Sequence, residues 1–209
     1  MKGCSMQINK KILLVLLASS SQSISSDNRT HIGVPEGVPG IQALFAFRPE
    51  TAQVIRNLVG ILLQKESTLA RSDRQLIAAY VSWLNQCVWC CSVHSAVATH
   101  LLDMKADIVQ AVKDDFESAP ISEKLKALLN IAGKVQKGGK QVTPEDIDRA
   151  RTQGADDVEI HDTVLIAAVF CMNNRYVQGL DAWTPSDPAV YTSIGKILAE
   201  KRDMRCLCK

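Results

Sequence analysis

From Glu50 onward the apolar side chains recur at three- and four-residue spacing, and no segment shows the sustained alternation of a half-buried strand. That periodicity confines the chain to helices packed on helices. Glu50 to Leu63 places Val54, Ile55, Leu58, Ile61 and Leu62 on a helical period. Ser72-Asp-Arg-Gln75 reads as a capping box opening the next helix, which carries Leu76, Ile77, Tyr80, Val81 and Leu84 on one face. Asn85-Gln86 interrupts the pattern, so a new helix is expected to start near Cys87. Leu125, Leu128, Leu129, Ala132 and Val135 form a further stripe, ended by Gly138-Gly139. Thr143-Pro144-Glu145-Asp146 combines a cap, a first-turn proline and acids at the positive end of a helix dipole. Val158 to Val177 predicts a long, buried, central helix, and Asp187 to Lys201 a last one. The fold expected is all-α, a bundle of about seven to eight helices without internal repeats.

A chain of 209 residues suits one domain with an extension, and can bury a core without disulfide staples. The expected division is an N-terminal extension over 1–30, a helical domain over 31–200 and a tail over 201–209. Lys2, Lys10 and Lys11 precede the apolar run Ile12 to Ala18, and the Ser-rich stretch Ser19 to Ser26 follows. This is the pattern of a secretory leader; a plain extension, or a true start at Met6, fits the same residues. The protein is exported or periplasmic on the first reading and cytoplasmic on the others. The run is shorter than the roughly 20 apolar residues a bilayer requires, and no other segment could span one. A net charge of +2 gives no case for a nucleic-acid partner.

The seven cysteines are unevenly placed: three lie between Cys87 and Cys91, and two, Cys206 and Cys208, in the C-terminal tail. Such clustering points to a local redox or metal site and not to a disulfide framework. On a helix, Cys87, Cys90 and His94 fall on one face. Cys87 would sit at the helix start, where free N–H groups and the dipole favour thiolate. His94, four residues beyond Cys90, could take a thiol proton or hold a thiolate as an ion pair. A dithiol beside a base suits peroxide reduction or disulfide exchange: one sulfur attacks and the other resolves.

Other readings stand beside this one. Cys87, Cys90, Cys91 and His94 could in number ligate zinc, although one helical turn rarely wraps a metal and no second ligand pair is in sight. Cys91 reads as a buried thiol or a competing resolving partner, and Cys171 as an ordinary buried one. His100 and His161 read as structural, and Trp89 either packs or lines a substrate pocket. Asn173, Asn174 and Arg175 interrupt an apolar helix with polar groups that need partners across a helix or subunit interface.

The CxxC-x3-His segment follows a helix reading Leu-Ile-Ala-Ala-Tyr-Val-Ser, and the two together resemble the AhpD-like alkyl hydroperoxidases. These form a peroxidase-related branch of the carboxymuconolactone decarboxylase superfamily. Val34-Pro-Glu-Gly-Val-Pro-Gly-Ile41, Phe45-Ala-Phe-Arg-Pro-Glu-Thr51 and Ser67-Thr-Leu69 are similar to that branch. So are Ser118-Ala-Pro-Ile-Ser122, Glu159-Ile-His-Asp-Thr-Val164 and Asn174-Arg-Tyr-Val-Gln-Gly-Leu180. The likeness runs from about His31 to about Leu198 and excludes the tail.

The resemblance implies an AhpD-like all-α fold, a homo-oligomer, and peroxide reduction by a cysteine pair with neither haem nor flavin. The substrate would be a hydroperoxide or a disulfide, and an external dithiol, of lipoyl type in family members, would restore the pair. The family's cysteines fall on Cys87 and Cys90, its histidine on His94, and its relay glutamate on Gln75. An amide accepts no proton, so His94 would lose a carboxylate partner and the thiolate fraction is expected to fall. Gln75→Glu is then expected to raise peroxide turnover. Thiol-disulfide exchange and a non-catalytic metal-binding or redox-sensing module are the alternatives. The decarboxylation that names the superfamily is disfavoured by the cysteine pair.

Overall fold

The computed structural model describes residues 30–200. The leader-like segment and the Cys206–Cys208 tail lie outside them. Nine α-helices run in order among the described residues, with no strand. They are α1 (Ile41–Phe47), α2 (Pro49–Gln64), α3 (Arg71–Leu84), α4 (Val88–Leu101), α5 (Ala106–Asp115), α6 (Glu123–Lys137), α7 (Pro144–Thr152), α8 (Asp157–Gly179) and α9 (Pro188–Glu200). The count exceeds the expected seven to eight because α1 and α5 are too short for periodicity to stand out.

Local chemistry accounts for most helix ends. Ser122 caps α6 by accepting from the Leu125 N–H, and Gly138 ends it. Thr143 and Asp146 form a capping box at α7, and Asp156 and Glu159 form another at α8. The predicted box at Ser72 and Gln75 is not formed. The helix begins at Arg71, two residues earlier than a Ser72 cap would start it, with Ala70 at its cap and no side-chain cap bond. Ser72 donates instead to its neighbour Asp73, and Gln75 turns inward.

The apolar faces build two cores. The larger one joins α3, α6 and α8 through Leu76, Ile77, Leu128, Leu129, Ile166 and Phe170. The smaller one joins α1, the start of α4, the end of α8 and α9. No described helix is long and apolar enough to cross a membrane.

Two glycines set the geometry around α4. Gly195 of α9 lies so close to α4 that an added Cβ would meet the Ala96 Cβ at 2.6 Å. Gly40 has φ +53°, and its added Cβ would sit 2.3 Å from the Trp89 ring. Its N–H donates to the Trp183 carbonyl at 2.7 Å, so the segment cannot withdraw without losing that bond. Gly40→Ala combines a disfavoured backbone with overpacking and is expected to destabilise the fold by about 3 kcal/mol. A thermal melt would show this as a drop of roughly 10 °C, and an unchanged midpoint would mean that Trp89 relaxes freely.

Candidate redox site

Cys87 occupies the N-cap of α4, directly after a turn that the chain must hold tightly. Gln86 has φ +56°, a left-handed conformation that a non-glycine residue adopts at a cost. The turn is tied down by Cys87 N–H to Ser82 O at 2.9 Å and by Gln178 Nε2, which donates from α8 to Asn85 O at 2.9 Å. Cys90 follows in the first turn of α4, and both sulfurs belong to the smaller core. Both thiols are free.

Cys87 is the more acidic of the pair, its thiol lowered from 9.0 to about 7. The main cause is the Cys90 side chain, which hydrogen-bonds the Cys87 sulfur; burial opposes the shift, and the Cys90 backbone N–H and the Asn174 side chain add to it. Cys90 moves the opposite way. Its S–H is held by the Cys87 sulfur and its burial disfavours charge, so its thiol is raised. Cys87 also lines an open cleft of about 420 Å³, walled by Trp89, Val177, Asp181 and Pro185 among others. The acidic sulfur is therefore the one beside the cleft.

His94 lies one turn beyond Cys90 and packs edge-on against Phe170, with ring centroids 4.6 Å apart. Its Nδ1 lies 2.7 Å from Gln75 Oε1. A carbonyl oxygen only accepts, so Nδ1 carries the proton and Nε2 keeps its lone pair. Burial pushes His94 down from 6.5 to about 4, so the ring is neutral near pH 7. Of the two roles open to His94, a neutral proton acceptor or an imidazolium paired with thiolate, this favours the neutral base. Gln75 does stand where a carboxylate would orient the ring. The groups that lower the Cys87 thiol in this chain are the Cys90 side chain first, then its backbone N–H and the Asn174 side chain.

Asn174 is the residue that periodicity did not assign. It is fully buried in α8, donates to Ser82 Oγ at 3.1 Å, and lies close enough to the cysteine pair to lower both thiols. The available signal was a pair of amides inside an apolar helix, since a buried amide must find partners. Cys91 lies 3.8 Å from Ser95 Oγ, and burial raises its thiol. His100 donates to Thr192 O on α9, and exposed His161 pairs with Asp162. Neither joins the site. Trp89 both packs on Gly40 and Tyr191 and forms part of the cleft wall. Among the described residues no group of three or more His, Cys, Asp and Glu is placed to hold a metal ion, which removes the support for the four-ligand reading.

Residues 49–115, which span α2 to α5 and include Gln75, Cys87, Cys90 and His94, match the carboxymuconolactone decarboxylase family. Among the curated proteins no match was found. A solved AhpD-core structure, an uncharacterized peroxidase-related protein from Ralstonia eutropha JMP134, is 26% identical with a TM-score of 0.68, covering 76% of this chain and 82% of that one. A peroxidase-related protein from Silicibacter sp. TM1040 is 23% identical with a TM-score of 0.65, covering 71% and 78%. A protein of unknown function from Agrobacterium tumefaciens is 19% identical with a TM-score of 0.63, covering 76% of this chain and 100% of that one. The all-helical fold is thus AhpD-like.

Proposed function

We propose that this chain, with a carboxymuconolactone decarboxylase family segment inside an AhpD-like fold, is a thiol-dependent peroxidase. The observation that carries the reading is a pair of free thiols, Cys87 at the N-cap of α4 and Cys90 in its first turn, of which Cys87 lines an open cleft; the lowered Cys87 thiol and the raised Cys90 thiol fit the roles of attacking and resolving sulfur. The Cys87 thiolate attacks the O–O bond of a hydroperoxide. An S–O bond forms, the O–O bond breaks, and the leaving alkoxide takes a proton to become an alcohol. Cys90 then attacks the sulfenic acid. A disulfide forms and water departs. His94 presents Nε2 as the proton acceptor, with its tautomer fixed by Gln75. An external dithiol returns two electrons by exchange and leaves as its own disulfide. A lipoyl-type reductant fits that step, and the enzyme requires no bound cofactor for it. The same dithiol supports disulfide exchange as a second activity, because both depend on an acidic first sulfur and an adjacent resolving one.

The test is peptide mass mapping of the fully reduced protein after a limiting dose of an organic hydroperoxide. A Cys87–Cys90 disulfide formed in proportion to peroxide consumed is expected. Peroxide left intact over reduced thiols would sink the peroxidase reading and leave disulfide exchange.

A further inference from the structure

Behind the cysteine pair runs a chain of amides with one sense of donation. Gln136 Nε2 of α6 donates to Asn85 Oδ1 at 2.9 Å. Asn85 Nδ2 donates to Asn174 Oδ1 at 2.9 Å. Asn174 Nδ2 is left to donate to Ser82 Oγ, and the same side chain lowers both neighbouring thiols. An amide can turn over and exchange its oxygen and nitrogen, and nothing in its own shape decides which end faces the sulfurs. Here the decision is made two residues away. The Asn174 oxygen is claimed by the Asn85 NH2, and the Asn85 oxygen by the Gln136 NH2. We infer that Asn85 and Gln136 are positioning residues that lock the Asn174 amide with its donor end toward Cys87. The inference rests on the redox reading of the pair and deepens it.

The other partners of these amides do not fix the sense. Ser82 is a hydroxyl, which donates as well as accepts. Asn85 Nδ2 also lies 3.5 Å from Cys171 Sγ, a thiol that can serve either way. Gln136 is the outer end of the chain, half-buried on the wall of a second cavity of about 590 Å³. It is far easier to change without harming the fold than fully buried Asn174. Every link acts through the next, and aligned amides polarise one another, so the orientation set at Gln136 reaches the sulfur.

The substitution that probes this is Gln136→Glu, which swaps one NH2 for an oxygen. The new carboxylate cannot donate to Asn85 and accepts from its NH2. Asn85 turns, its oxygen then faces Asn174, and Asn174 turns to donate to it. A carbonyl oxygen now faces the Cys87 sulfur, where it disfavours thiolate. Gln136→Met keeps the length and removes the donor without forcing the reversal. The readout is the pH dependence of iodoacetamide alkylation at Cys87, site-resolved by fragmentation, in full-length protein with a thermal melt alongside. The titratable groups around Cys87 are Cys90, Cys91 and His94 on its own helix, Asp181 across the cleft and Tyr191 in the same apolar cluster; neither variant substitutes any of them, and Gln136→Glu adds one carboxylate at the outer end of the amide chain.

Gln136→Glu is expected to raise the alkylation midpoint by about one pH unit, a roughly tenfold loss of thiolate below it, and Gln136→Met by clearly less. An unmoved midpoint in Gln136→Glu, or equal shifts in both variants, would overturn the inference. Alkylation needs no peroxide. A shifted midpoint in a protein that reduces no hydroperoxide would refute the peroxidase reading alone, and an unshifted one in an active peroxidase would refute the amide lock alone.

Discussion

Cys87→Ser is expected to abolish peroxide consumption, whereas Cys90→Ser is expected to reduce one peroxide per chain and stop with a sulfenic acid on Cys87. The asymmetry follows from the opposite displacement of the two thiols. Both sulfurs are buried, but Cys87 is lowered to about 7 and lines the cleft, while Cys90 is raised. Only the thiolate is nucleophilic, and losing it should cost on the order of a thousandfold or more in rate. A serine hydroxyl at Cys90 still donates to the Cys87 sulfur, so the first step survives and only resolution is lost. A dimedone adduct, located by mass spectrometry, reports the trapped sulfenic acid. Wild-type rates should climb about tenfold per pH unit below 7 and level above it, following Cys87 ionisation. Stoichiometric turnover in Cys87→Ser with an adduct on Cys90 would reverse the assignment. A Cys87–Cys91 disulfide in Cys90→Ser would identify Cys91 as a substitute resolving thiol.

The second large effect concerns His94, and it is a stability effect as well as a kinetic one. Its folded value of about 4 lies below the unfolded 6.5, so the unfolded chain binds more protons between those limits. Stability is therefore fully present above pH 6.5 and is lost as pH falls toward 4. For a half-buried ring the loss is about 2 kcal/mol. Gln75→Glu sets a carboxylate against Nδ1, which favours imidazolium and raises the folded value. The variant should lose less stability across that window, visible in urea midpoints at pH 7, 5.5 and 4.5. The more basic ring should also speed peroxide turnover by about tenfold. An unchanged rate, with the acid window narrowed as expected, would show that Gln75 orients the ring without taking part in proton transfer.

Much of this was legible in sequence because it is local. Helix stripes, the Thr143 start and the CxxC-x3-His spacing all depend on residues within a turn or two of one another. The errors came where a side chain had two uses. Ser72 and Gln75 fit a capping box, yet Gln75 has a partner nineteen positions away in His94, and a buried hydrogen bond outweighs an exposed cap. Asn174 was marked as anomalous but not placed, because its partners lie on α3 and α4 and only the packing of α8 reveals them. Spacing leaves His94 open as a neutral base or an imidazolium, and burial favours the first: spacing shows who is near, while burial decides who is charged.

The smaller core has a consequence for the newly made chain. Its roof is closed by His31 N–H to Leu180 O and by Gly40 N–H to Trp183 O, joining the two ends of the described chain. Bringing such distant segments together costs about 4 kcal/mol in loop entropy, which packing offsets only after α8 and α9 are in place. Until α8 and α9 have emerged, Asn174 is absent and Trp89 has neither Gly40 nor Tyr191 stacked in place. The dithiol then behaves as any exposed pair, open to adventitious oxidation and without its tuned acidity. Reactivity and protection thus arrive together, once α8 and α9 have docked.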